Sequence, residues 1–136
     1  MPFFLAKTDP DTYTIDQLER DGQTTWDGVT NPQAVQFIGS MKKGDFVFIY
    51  HSGGISAIVG LAKAVSAGRV DPKNAKSKVV DLKFVRRLEP PTTLTEVKSS
   101  GLFSDFLLVR NSRLSTMACP DEFVEWMRKR YPKAKF

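Results

Sequence analysis

The chain has 136 residues and a mass of 15.3 kDa, a length at which one domain buries about two thirds of its unfolded surface, so one core is expected over residues 1–136. Hydrophobic residues at 41% and charged residues at 26% exclude a disordered chain. A single cysteine, Cys119, and a single histidine exclude an internal disulfide and a Cys/His zinc cluster, and no metal or other cofactor is expected.

Twenty Lys and Arg against fifteen Asp and Glu give a net charge of +5 and a pI near 9.4, enough to attract polyanions where the charges gather on one face. No apolar run reaches the roughly 18 residues of a membrane span. Met1–Lys7 has no basic region followed by a long apolar one, so a protein of the cytoplasm without membrane contact is expected.

Phe3–Lys7 reads as a short strand ended by the turn residues Asp9-Pro10-Asp11. Thr14 and Gln17 form a capping box for a two-turn helix that stops at Gly22. Asn31 as N-cap and Pro32 at the first helical position open a second helix, with Val35, Ile38 and Phe37 facing inward up to Met41. After the turn Lys42–Asp45, the run Phe46–Tyr50 is apolar on both faces, as a central strand would be.

Ile58–Val65 reads as its partner, with one face left unusually small by Gly60 and the alanines. Gly68–Lys78 is expected to be a polar, basic loop, and Val79–Leu88 a half-exposed strand broken by Pro90-Pro91. Thr93 and Glu96 cap a short helix running to Gly101, and Phe103–Val109 shows no decisive pattern. Pro120 starts a last helix in which Phe123, Trp126, Met127 and Tyr131 recur at helical spacing. Short strands interleaved with brief capped helices indicate an α+β domain built on a small, partly open β-barrel with short flanking helices.

Trp26 is expected in a loop ahead of the second helix, as a core plug or a ligand platform, and Asn31 beside it is either a cap alone or a recognition group as well. His51 ends the central strand, either bonded to backbone or free to donate to a base or phosphate. Ser52 follows it, but adjacent strand residues point to opposite faces and make no catalytic pair. Arg110, Ser112 and Arg113 within four residues suit a phosphate contact or a solvated turn.

At Trp26-Asp27-Gly28-Val29-Thr30-Asn31 the chain resembles the EVE domain family, and the likeness extends through Lys7-Thr8-Asp9-Pro10, Tyr13, Ala34, Met41-Lys42, Gly44-Asp45, Tyr50-His51-Ser52, Ile58-Val59-Gly60, Leu94–Lys98 and Leu108–Ser115. Thr30 stands where an arginine is usual, Pro32 where an aromatic residue is common and Asn111 where a glutamine is frequent. The resemblance implies a PUA-like fold, related to YTH and ASCH domains, and a pocket for a modified nucleobase bordered by Lys7, Thr8, Trp26, Asn31, Tyr50, His51, Ser52 and Arg113, with Trp26 stacking on the base.

The expected function is therefore a non-enzymatic, monomeric module that binds DNA or RNA carrying a methylated cytosine or adenine. Two alternatives stand beside it: a nucleotide- or RNA-processing enzyme using His51 as general base, and a small-molecule or protein-interaction module.

Overall fold

The computed structural model describes residues 2–136, which form seven strands and five short helices. The first half contains β1 (Phe3–Thr8), α1 (Ile15–Asp21), β2 (Gln23–Trp26), α2 (Pro32–Ser40), β3 (Phe46–His51) and β4 (Ala57–Ala64). The second contains β5 (Arg69–Asp71), β6 (Asn74–Thr93), α3 (Leu94–Ser99), α4 (Leu107–Arg110), β7 (Thr116–Ala118) and α5 (Asp121–Arg130). No helix among the described residues is long and apolar enough to cross a membrane.

The strands form one sheet in the order β2-β6-β4-β3-β1-β7, with β5 added to β6. Only β1 and β3 pair in parallel, Lys7 opposite Tyr50 and Thr8 opposite His51; the other pairs are antiparallel. The sheet does not close, since β2 and β7 remain its ends, and α2 packs on both β6 and β7 across the gap. This is the α+β, partly open barrel expected from the sequence. The central strand β3 is covered by α5, whose Phe123 meets Phe48 edge-on at 5.9 Å. Phe103, Phe106 and Trp126 crowd the same phenyl ring, so the segment ahead of α4 is held by aromatic packing.

Several sequence expectations are corrected. Gly68–Lys78 is no loop but the β5–β6 hairpin, with turn amides of Lys73 and Lys76 donating to the side chains of Asp71 (2.8 Å) and Asn74 (3.0 Å). Both its faces are largely exposed, so no apolar alternation announces it. Pro90-Pro91 does not end β6, which runs to Thr93. Residues 88–91 bulge opposite Val59, between the pairs Gly60–Arg87 and Ile58–Thr92, so the prolines' missing N–H groups fall where the ladder is already interrupted. Tyr131 holds the bulge, donating its hydroxyl to the Pro90 carbonyl at 2.5 Å while the Thr92 hydroxyl lies 2.6 Å from it. The short strands β2 and β7 were not anticipated, because Gln-Thr-Thr-Trp and Thr-Met-Ala lack apolar alternation and owe their form to β6 and β1.

The small face of β4 has a clear use. A Cβ at Gly60 would overlap the Ile15 side chain at the start of α1 and stand 3.2 Å from the Arg86 carbonyl oxygen. Gly60→Val should therefore cost about 1–3 kcal/mol through overpacking, measured by urea denaturation. Ile15→Ala in the same chain should recover part of that loss, and independent costs at the two positions would contradict the contact.

Candidate functional site

The loop after β1, the ends of β1 and β2 and the connection into α2 converge on a cleft of about 540 Å³, within the usual range for ligand pockets. Its wall is Trp26, which is the last residue of β2 rather than a loop residue and is only 8% exposed. The indole stands edge-on to Tyr13, with ring centroids 6.3 Å apart and an interplanar angle of 85°. Core plug and cleft wall are thus one role.

Tyr13 is steadied by a 2.8 Å hydrogen bond from its hydroxyl to Asp21. Burial, then that bond, pushes its pKa up. The Thr8 hydroxyl donates to the Tyr13 carbonyl at 2.9 Å, fixing the loop after β1. Val29 is pinned in turn by the buried Ser77, whose hydroxyl donates to its carbonyl at 2.5 Å. Gly28 makes the intervening turn at φ 78°, a conformation a side chain there would strain.

Asn31 caps α2, its Oδ1 accepting from the amides of Gln33 (2.9 Å) and Ala34 (3.2 Å). The cap also fixes the amide's polarity: with Oδ1 turned onto the helix, the group left over at the cleft is Nδ2, a donor. Lys7 and Arg113 supply the cations of the cleft, and Asp9 and Asp27 the carboxylates. Lys7 donates to the Ser112 carbonyl at 3.1 Å and lies 5.4 Å from the Tyr50 ring centre. Burial holds its pKa below the usual lysine value.

The structure thus brings Lys7, Thr8, Trp26, Asn31 and Arg113 together and leaves the other expected site residues outside the lining. Tyr50 is 3% exposed beneath Lys7, where burial raises its pKa. Ser112 contributes a backbone carbonyl, and Arg110 turns to Asp105, 3.6 Å away. Ser52 is joined to the Thr8 carbonyl through its amide at 3.0 Å. His51 opens on a separate depression of about 380 Å³, with Asp16, Arg87 and Pro91. Sequence reasoning named Tyr13 and Asp27 within the family likeness without placing them at the site. The signal available was their position immediately before the Thr14 cap and immediately after Trp26.

His51 is bound to the fold through its ring, since Nε2 accepts the Ile15 backbone N–H at 3.0 Å at the start of α1. That lone pair is committed, so His51 is no general base for a ligand beside Trp26. Burial lowers the imidazole pKa. An unfolded histidine titrates near 6.5, so the stabilisation is complete above that pH and is lost as pH falls below it, through the lowered folded value. Urea denaturation should show wild type more stable than His51→Ala by about 1 kcal/mol at pH 7.5, with the gap narrowing by pH 5. A pH-independent gap would contradict the neutral-acceptor assignment.

Comparison with known proteins identifies the family and the fold. The model of the EVE domain matches residues 2–130. Thymocyte nuclear protein 1 of Rattus norvegicus is 33% identical over 156 residues, and that of Homo sapiens 29% identical over 155; each alignment covers 88% of this chain and 69% of the relative. An NMR structure of a Rhodopseudomonas palustris protein superposes with a TM-score of 0.90 at 30% identity, covering 100% of this chain and 97% of that one. The human THYN1 protein in complex with DNA containing 5-methylcytosine superposes with a TM-score of 0.86 at 25% identity, covering 95% of this chain and 96% of that one. The chain belongs to the EVE domain family.

Proposed function

We propose that the protein is a non-catalytic nucleic-acid-binding module that receives a methylated base, extruded from its strand, in the Trp26 cleft. The observation that carries this reading is the Trp26–Tyr13 aromatic wall standing among separate donors and acceptors. The complex of human THYN1 with methylated DNA supports it from outside the chain and makes 5-methylcytosine the first candidate. Adenine and RNA ligands belong in the same binding screen.

Methyl recognition alone is insufficient, because thymine carries the same C5 methyl group as 5-methylcytosine. The two differ along the pairing edge, where cytosine offers an exocyclic amine and ring acceptors while thymine offers a carbonyl and a ring N–H. Asn31, with its oxygen held in the cap, presents a donor that matches a cytosine acceptor and opposes the thymine N–H. Asp27, an exposed carboxylate in the lining, suits the exocyclic amine.

Fluorescence anisotropy with short DNA and RNA oligonucleotides carrying 5-methylcytosine, cytosine, thymine or N6-methyladenine tests the reading. Trp26→Leu, which keeps an apolar plug, should weaken binding of the methylated ligand at least tenfold, in line with about 1–3 kcal/mol per stacked base. A thermal melt establishes that the variant is folded; unchanged affinity of the folded variant would refute the stacking role. Asn31→Asp retains a competent cap but exchanges the free donor for an acceptor. It should narrow or reverse the preference for 5-methylcytosine over thymine, by about 1–3 kcal/mol.

A further inference from the structure

One edge of the molecule carries a cluster of lysines. In the β5–β6 hairpin, residues 69–78, Lys73, Lys76 and Lys78 stand beside Asp71, while Arg69 is paired with Asp81 of β6 at 3.1 Å. The neighbouring turn carries Lys42 and Lys43 against Asp45 and is tied to the hairpin's root by the 3.1 Å bond from the Gly68 amide to the Met41 carbonyl. Asp71 and Asp45 are both occupied within their own turns, accepting the amides of Lys73 (2.8 Å) and Lys42 (2.9 Å).

Several arginines elsewhere are paired with carboxylates. Arg87 pairs with Asp16 and with Glu19, Arg128 with Glu125 and Arg130 with Glu96. Among the described residues, no carboxylate lies within 4 Å of the amines of Lys73, Lys76 or Lys78.

The hairpin adjoins the cleft through β2 and the Val29 loop, although none of residues 69–78 lines it. Trp26 lies opposite Val80 on β6, and alternate residues of a strand share a face. Lys78 and Lys76 therefore continue from Val80 on the face of Trp26, about 7 and 13 Å along the strand, with the Lys78 side chain lying along α2 at Gly39. Ser77 between them, on the other face by the same alternation, holds the Val29 carbonyl of the cleft loop. A nucleotide placed in the cleft carries phosphates on both sides, and the arm extends from the β2–β6 side of the cleft.

We propose that the β5–β6 hairpin, through Lys73, Lys76 and Lys78, is an arm that holds the phosphate backbone flanking the nucleotide in the Trp26 cleft. The proposal rests on the nucleic-acid reading above and adds a division of labour: the cleft selects the base, and the arm supplies affinity independent of sequence and modification. Lysine suits the task, being a point charge on a flexible stem that follows a backbone without demanding one geometry.

The test is the salt dependence of oligonucleotide binding by wild type, by the Lys73→Gln, Lys76→Gln, Lys78→Gln triple variant and by a control triple variant, Lys129→Gln, Lys133→Gln, Lys135→Gln, with the same charge change elsewhere. The arm variant should bind methylated and unmodified oligonucleotides at least about tenfold more weakly at 50 mM salt, with their affinity ratio unchanged. Its slope of log affinity against log salt should be shallower by about 2, as expected for three lost phosphate contacts. A slope equal to that of wild type, or an equal loss in the control, overturns the arm. Titration with free 5-methyl-2′-deoxycytidine, which has no phosphate, separates the two readings. Nucleoside binding with an arm-independent slope leaves the cleft and removes the arm; no nucleoside binding with an arm-dependent slope does the reverse. Failure of wild type to bind either ligand overturns both.

Discussion

Two adjacent central strands, β1 and β3, run parallel, and a parallel pair demands a crossover connection rather than a hairpin. The crossover here is Asp9–Asp45, containing α1, β2 and α2. Nearly every group that shapes the cleft lies on it or at the strand end that feeds it: Thr8, Tyr13, Trp26, Asp27 and Asn31. Its two ends are anchored by different means. Ile15 fills the space left by Gly60 on β4 and donates its amide to His51, while α2 closes the gap between β6 and β7. The cleft is the seam where this crossover returns to the sheet.

Residues at the seam serve packing and recognition together. Trp26 completes the core and walls the cleft; Asn31 caps a helix and by doing so has its outward polarity determined. Functional alternatives posed against structural ones are therefore not exclusive here. A substitution that removes the whole side chain tests both roles at once, whereas Asn31→Asp alters one. His51 shows the opposite outcome. Its ring nitrogen is consumed by the Ile15 amide, and its value lies in holding the crossover that carries the site.

Capping boxes, the Asn31-Pro32 helix start and the doubly buried run Phe46–Tyr50 were legible because each is a local rule that tertiary contacts reinforce. The hairpin at 69–78, β2 and β7 were not, because their strand form comes from pairing with distant residues rather than from their own alternation. At the site, Lys7, Thr8, Trp26, Asn31 and Arg113 were identified, but a register partner of a site residue need not line the same cavity. Thr8 and His51 are register partners, yet the first lines the cleft and the second opens elsewhere. The charged arm was visible only as composition; its relation to the cleft appears once Val80 is set opposite Trp26.

The two tryptophans provide an internal control, since Trp26 walls the cleft while Trp126, on α5, packs beside Phe103 and Phe123. The most direct measurement is a titration of 15N-labelled protein with an oligonucleotide bearing one 5-methylcytosine, following the indole and side-chain amide resonances. The Trp26 indole and the Asn31 amide should shift together and saturably, with Trp126 unmoved. Saturable binding that leaves Trp26 and Asn31 unchanged would contradict binding in the cleft.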